Sequence, residues 1–338
     1  MNIVTIDAGT TNTRSSLWRH GKVIAQSQVE VGVRDTAIQG NNNALKQAVR
    51  DTIQSALAQA GEHPDAVALA LASGMITSAL GLIEVPHLVG PAGLSHLAQG
   101  MLRVAMPEVF PGPLWLIPGV RNPVAPVGLH NHEAMDMMRG EETEAMGLLA
   151  RLGVSGRAML IMPGSHTKLV SIDEESCIAG CATTLAGELL QVITQGTLIS
   201  QSLGACFAQS FSPEMVLAGA AAAQKTGLTR ACFSVRTLGQ FTDLQRDELA
   251  NFLLGAVLSG DVLALKNSSA IQMRPDMPIV IAGKPMLRQA LALLIRENGF
   301  FYGRRTVVSD EQQADLAGFG AIAIAQARGL TTKLQKHI

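Results

Sequence analysis

Short apolar runs with alternating neighbours give way along this chain to helical spacing, and the same change occurs a second time after the midpoint. Residues 3–6, apolar but for Thr5, deliver Asp7 into the turn Ala8-Gly9-Thr10-Thr11-Asn12, and the chain leaves through Thr13-Arg14-Ser15-Ser16-Leu17-Trp18, which predicts a β-hairpin. A turn at 19–22 and alternation over 23–31 add a third strand, making a meander. Leu45, Ala48, Val49, Ile53, Ala56 and Leu57 then form a stripe of helical period over 44–60 that stops at Gly61. A wholly apolar strand is expected at 67–72, with the loop Ser73-Gly74-Met75-Ile76-Thr77-Ser78 behind it. Residues 85–127 are rich in Pro and Gly around a short strand at 114–117, and a helix with an acidic first turn opens in 136–144 and runs to Leu149.

The second half repeats the plan of the first. An apolar strand at 159–162 enters Pro163-Gly164-Ser165-His166 and leaves through Thr167-Lys168-Leu169-Val170, so that Gly9-Thr10 matches Gly164-Ser165 and Thr13-Arg14 matches Thr167-Lys168. A strand at 177–184 and a helix at 187–200 follow, then a helix from Ser212-Pro213 to Gly227. Thr242 and Gln245 suit a capping box for a long helix to Lys266. Residues 279–287 read as strand, glycine turn and helix, and Ser309 with Gln312 starts the last helix. Within that helix Gly318 and Gly320 imply close approach of another element or of a ligand. Two related hairpins half a chain apart are what a nucleotide clamped between two domains requires, and 338 residues suffice for two cores. The expected division is 1–140 and 141–338, both of α/β class.

Chemistry enters at the hairpin tips. A Gly-hydroxyl turn offers backbone N–H groups to an anion, and Asp7 at the strand end would tolerate a phosphate only across a Mg²⁺ ion. An ordinary hairpin with a polar tip has the same pattern, and the second hairpin is what tips the reading towards phosphate. Only the first carries an acid, which suits one shared metal ion. The Gly74-Met75 loop and the Gly283 turn are each either a ligand contact or a tight crossover, and His166 either touches phosphate or caps its turn. His130, His132, Glu133 and Asp136 lack the spacing of a metal site and read as a polar loop.

Composition narrows the classes. A formal charge of −1 with scattered Lys and Arg gives no field for nucleic acid, and 4% aromatics give no stacking platform. Cys177, Cys181, Cys206 and Cys232 form no C-x-x-C pair and are expected to be free thiols of a cytoplasmic protein. No signal peptide is expected, and the apolar runs considered, such as 67–72 and 316–325, fall short of the ~20 residues of a membrane span. A P-loop is excluded, and no G-x-G-x-x-G follows the first strand.

Asp7-Ala8-Gly9-Thr10, Gly164-Ser165-His166-Thr167 and Ala282-Gly283 resemble the phosphate and adenosine elements of the sugar kinase, hexokinase, chaperone ATPase and actin superfamily. The wider series, from Gly9-Thr10-Thr11-Asn12-Thr13-Arg14 through Gly74-Met75-Ile76, Pro118-Gly119-Val120, Met138-Arg139-Gly140-Glu141-Glu142-Thr143 and Pro163-Gly164-Ser165-His166-Thr167-Lys168 to Gly187-Glu188-Leu189, resembles the motifs of the 2-dehydro-3-deoxygalactonokinase family in order. The resemblance implies two ribonuclease-H-like (actin-like ATPase) domains around a nucleotide cleft. It also implies ATP- and Mg²⁺-dependent phosphorylation of 2-dehydro-3-deoxy-D-galactonate to its 6-phosphate in galactonate catabolism. Gly9, Thr10, Thr11, Gly164, Ser165, Thr167, Lys168 and Gly283 would then meet the nucleotide, and Asp7 the metal. Arg14, Gly74, Met75 and Arg139 would meet the sugar acid, with Arg14 or Arg139 as the fork on its carboxylate. The general base belongs at the start of the crossing helix, where Glu141 is favoured over Glu142 and Asp136 because it follows Gly140. The partner implied is a small-molecule sugar acid, without nucleic acid or membrane, and a homodimer is the assembly left open. The rival is a kinase of another sugar, sugar acid or acyl substrate. A non-kinase ATPase would be expected to carry large insertions, and a sugar-sensing repressor a DNA-binding domain ahead of Met1-Asn2-Ile3.

Overall fold

A computed structural model describes residues 1–331; positions 332–338 of the second expected domain lie outside the described residues. Two large sheets carry the chain, with a small third sheet of Leu88–Val89, Val120–Arg121 and Met137–Met138. The first orders its strands Lys22–Val29, Thr13–Arg19, Asn2–Ala8, Val67–Gly74, Pro113–Leu116 and Leu102–Ala105, and the second Ile178–Thr184, Thr167–Ile172, Ala158–Met162, Ile279–Ile281 and Arg305–Val307. In each, the first three strands form an antiparallel meander and the next two run parallel to its initial strand. The first sheet has one extra antiparallel edge strand. The repeat read from the hairpins is therefore a repeat of whole α/β domains of ribonuclease-H-like, actin-like plan.

Two helices lie between the sheets, Glu141–Leu152 and Leu316–Ala327. Their Ala145, Met146, Leu149, Ile322 and Ile324 share one buried cluster with Ile3, Trp18 and Leu71 of the first sheet and Leu160, Val170 and Ile172 of the second. Close approach is possible because a Cβ on Gly320 would stand 1.8 Å from Thr143 O, and one on Gly318 would meet the Trp18 ring at 2.6 Å. The last helix thus returns to the first sheet and locks the two halves of the chain together.

The outer faces are covered separately. Helix Asn43–Gln59 lays Leu45, Val49, Ile53 and Leu57 on the first sheet, while the second is covered by helices grouped around Arg246–Asn267. That 22-residue helix is long and apolar enough to cross a membrane, which the shorter runs weighed in the sequence are not, but 72% of its most apolar window is buried among its neighbours. A helix apolar on all sides is what the middle of a helical layer needs.

Several boundaries differ from the sequence reading. The box that starts Arg246–Asn267 pairs Gln245 with Glu248, because Thr242 is already spent closing the preceding helix, Leu228–Phe241, which the sequence reading left unassigned. The region 187–200 divides into Ala186–Gly196 and Ser200–Leu203. Ser309 and Gln312 do form their box, but around the single turn Asp310–Gln313, and the chain breaks at Asp315 (φ 53°) before the last helix. This break puts residues 313–318 into a cleft.

Candidate active site

The cleft, about 850 Å³, opens between the domains and is lined from both hairpins, the start of the crossing helix, the Gly283 turn and the break at 313–318. Of the residues singled out in the sequence, Asp7, Gly9, Arg14, Gly74, Arg139, Glu141, Gly164, Ser165 and Gly283 line it. Thr10, Thr11, Met75, Asp136, Glu142, Thr167 and Lys168 do not.

At the first hairpin the strand ends at Ala8, Gly9 N–H donates to Asn12 O at 2.8 Å, and the carbonyls of Gly9 and Thr10 accept from Val33 and Arg34. The N–H groups of Thr10 and Thr11 have no partner among the described residues, so they remain available to an anion at the tip. The second hairpin is closed differently: Ser165 O accepts from Glu188 N at 2.9 Å, and Gly187 lets that helix start sit against the tip, since a Cβ there would meet Gly164 O at 2.0 Å. His166, in the cleft wall, pairs with Glu188 at 2.9 Å.

Asp7 stands opposite Arg14 in the hairpin register, with Arg14 Nη2 at 3.9 Å from its Oδ2, and it accepts no hydrogen bond among the described residues. Burial raises its pKa above the usual carboxylate value; Arg14 opposes this and Glu141 adds to it. Behind Asp7, Gly74 holds φ 85° and ψ −157°, a region essentially restricted to glycine, and a Cβ there would meet Ala8 O at 2.7 Å and Asp7 Oδ1 at 3.0 Å. Gly140 packs against it, with its own Cβ position 3.2 Å from Gly74 Cα. The two glycines make a backbone floor for the acid.

The crossing helix turns its first residues in different directions. Glu141 lines the cleft, and its Oε2 accepts from Arg139 N at 3.0 Å. Glu142, about 100° further round the helix, is fully buried behind the wall, accepting from Gly140 N at 2.7 Å and from Thr143 Oγ1 at 3.1 Å. Glu144 returns to the cleft on the face of Glu141, as the spacing of three residues dictates. The sequence reading passed over Glu144, although the same helical spacing identifies it. Burial, with the charges of Asp7 and Glu141, pushes its carboxyl up to about 8.

Glu142 is likewise pushed up to about 8, first by burial and then by Glu141. Its folded pKa lies above the unfolded value, so from about pH 4.5 to 8 the unfolded chain has released a proton that the fold retains, and stability from this residue falls as pH rises. Glu142→Gln can still accept from Gly140 N through its oxygen and can donate from its amide to Thr143 Oγ1, and it has no proton to lose. Its Tm is expected to stay near wild type at pH 5 and to exceed it by roughly 2–5 °C at pH 8; a difference constant with pH in thermal melts would remove Glu142 as the source.

Arg139 reaches the cleft edge but is held as a strap. Its guanidinium donates to Thr77 O and Oγ1, both at 2.6 Å, and to Val85 O at 3.0 Å, and lies 3.1 Å from His87 Nδ1. Burial and the charges of Arg139 and Arg121 lower His87 to about 4, which leaves it a neutral acceptor. With Arg139 bound to carbonyls, Arg14 is the guanidinium of the cleft wall that makes no hydrogen bond among the described residues, its nearest acid being Asp7 at 3.9 Å. Asp136, a candidate base in the sequence, instead accepts from Thr183 N at 2.5 Å and Thr183 Oγ1 at 3.1 Å, away from the cleft wall. Thr167 is fully buried at the foot of its hairpin, and Lys168 faces the opposite side of the sheet, towards Met137 and Thr183.

Across the cleft, Gly283 N donates to Gln313 Oε1 at 2.7 Å while Gln313 Nε2 donates back to Gly283 O at 3.1 Å. Lys284 lines the wall beside them and is exposed. Gln313 and residues 314–317 were not read as site residues, because only the break in the last helix turns them inward; Gly318 was read as a close approach of another element or of a ligand, and it meets Trp18 as well as the cleft.

The family described as 2-keto-3-deoxy-galactonokinase matches residues 7–322. A curated protein of Escherichia coli (strain K12) named 2-dehydro-3-deoxygalactonokinase is 27% identical over 270 residues, covering 80% of this chain and 82% of that one. A Rhizobium meliloti (strain 1021) relative is 27% identical over 201 residues, 59% of this chain and 58% of the other. A crystal structure from Sinorhizobium meliloti, provisionally assigned as a 2-dehydro-3-deoxygalactonokinase, superposes with a TM-score of 0.69 over 96% of this chain and 98% of that one at 21% identity, a likeness of fold.

Proposed function

The chain belongs to the 2-keto-3-deoxy-galactonokinase family and is an ATP-using kinase of an alcohol group, and from that footing we propose that it phosphorylates 2-dehydro-3-deoxy-D-galactonate at its C6 hydroxyl, with Glu141 as general base. The observation that carries the reading is the position of one carboxylate, Glu141, in a cleft wall shared with two phosphate-type hairpins. In the transfer, the C6 oxygen forms a bond to the γ-phosphorus as the bond to the bridging β,γ oxygen breaks, and the hydroxyl proton passes to Glu141. The turn Gly164-Ser165 in the cleft wall holds the phosphates by the dipoles of unpaired amides, and the N–H groups of Thr10 and Thr11, at the first tip just outside the lining, extend that site at the cleft mouth. Gly283 and residues 313–318 take the nucleoside side, where the backbone is open to close approach. Arg14 takes the sugar-acid carboxylate.

Asp7 suits Mg²⁺ on its own chemistry: it is a carboxylate that burial and Glu141 push towards neutrality, with no hydrogen-bond donor among the described residues and one guanidinium at 3.9 Å. A bound Mg²⁺ would supply the charge that offsets both Asp7 and the triphosphate. Glu144, retaining its proton near neutral pH, would keep a third negative charge out of the same space.

Initial rates with ATP and a panel comprising 2-dehydro-3-deoxy-D-galactonate, its gluconate epimer, gluconate, glycerol, acetate and N-acetylglucosamine test the substrate class. The expected order puts a keto-deoxy sugar acid first in kcat/KM. Turnover of acetate or the amino sugar with none of the keto-deoxy acids would overturn it.

A further inference from the structure

Lys168 occupies the outgoing side of the second hairpin, where the sequence suggests a phosphate ligand, yet its side chain is turned away from the cleft wall and is only 6% exposed. Adjacent strand residues face opposite sides of a sheet. Thr167 goes down towards Asp261 and Thr184, and Lys168 goes to the layer between the domains. Its ammonium donates to Met137 O at 3.0 Å and to Thr183 Oγ1 at 2.6 Å, and lies 3.9 Å from Glu141 Oε1. Thr183 Oγ1, accepting from Lys168, is free to donate to Asp136 Oδ1 at 3.1 Å, and Asp136 Oδ2 accepts from Thr183 N. Asp136, Met137 and Glu141 lie on the segment entering the crossing helix; Lys168 and Thr183 belong to the second sheet. The contacts therefore tie one domain's phosphate hairpin to the other element's acid.

We propose that Lys168 is a positioning residue for the reaction, holding the Glu141 carboxylate at the substrate hydroxyl from across the hinge. A buried ammonium must keep its polar partners, and Lys168 has three protons: two are taken by Met137 O and Thr183 Oγ1, and the third faces Glu141. Glu141 is thereby held from two sides, by the Arg139 N–H bond to Oε2 at 3.0 Å and by the charge of Lys168 at 3.9 Å from Oε1, an ion pair without a hydrogen bond. Without the ammonium, the Arg139 N–H bond is the contact left to fix the carboxylate, and Asp7, Glu142 and Glu144, each of which interacts unfavourably with the Glu141 charge, offer no replacement. The base would then swing within the cleft, and a misplacement of about 1 Å is enough to cost on the order of 10²-fold in rate. The inference rests on Glu141 being the base, and the test separates the two.

Steady-state kinetics and calorimetric binding of ATP and the sugar acid are measured for Lys168→Met, Glu141→Gln and the double variant. Lys168→Met is expected to lower kcat roughly 10- to 100-fold while both affinities stay within about threefold. In the Glu141→Gln background the same replacement should cost less than about twofold, because residues that act as a unit are not additive. Thr183→Ala, at an exposed position, removes one anchor of the ammonium and should give the same non-additive loss on a smaller scale, which keeps the test open if Lys168→Met does not fold. A tenfold rise in KM for ATP with kcat unchanged would make Lys168 a phosphate ligand and overturn the proposal. Losses that multiply in the double variant would also overturn it. Near-normal turnover by Glu141→Gln would instead remove the base reading itself.

Discussion

Asp7→Asn is expected to lower kcat by roughly 10²- to 10³-fold, while the unliganded protein melts at or above the wild-type Tm at pH 7.5. Both effects have one origin. The folded pKa of Asp7 is raised by burial and by Glu141, so its ionised form weakens the empty fold at every pH above its unfolded pKa, and Asn removes that cost. The same charge is what would hold a Mg²⁺ ion beside the triphosphate, so on this reading the gain in stability would come with a loss of charge neutralisation in the transition state. Wild type should also gain Tm on addition of Mg²⁺ with an ATP analogue, by the linkage of binding to folding, and the variant should lose most of that gain. Near-normal kcat at saturating Mg²⁺ would show that Asp7 does not meet the metal.

Glu141→Gln is expected to cost about 10²- to 10⁴-fold in kcat, with the sugar acid still bound. The amide keeps the size and can still accept from Arg139 N, as the carboxylate does at 3.0 Å, but it cannot take the hydroxyl proton. Glu142→Gln and Asp136→Asn should have far smaller effects on kcat, because Glu142 is sealed behind the wall and Asp136 is engaged by Thr183. If Asp136→Asn alone abolished turnover while Glu141→Gln stayed near wild type, the base would lie in the loop before the helix.

The hairpins and their repetition were legible because both depend on local pattern: an apolar run, a glycine turn and hydroxyls at matching offsets. The close-packed glycines of the last helix were legible for a similar reason, since Gly318 and Gly320 are costly in a helix unless something approaches, here Trp18 and Thr143. What local pattern does not carry is the face that a residue presents once the sheets are assembled. Thr167 and Lys168 were both read towards phosphate, yet one enters the outer layer and the other the layer between domains. Arg139 read as a substrate fork because its partners, Thr77 and Val85, are 62 and 54 residues away in the chain. The capping box at 242–245 lost to the one at 245–248 because a helix that the sequence did not announce had already claimed Thr242. Glu144 is a different case: helical spacing from Glu141 was enough to find it.

The most direct measurement of the central claim is ³¹P and ¹³C NMR of the product formed from ATP, Mg²⁺ and 2-dehydro-3-deoxy-D-galactonate. The account predicts one phosphate monoester per ADP, with phosphorus coupled to C6 and no acyl phosphate. ADP and inorganic phosphate without a sugar ester, or a phosphoryl group on the carboxylate, would contradict it.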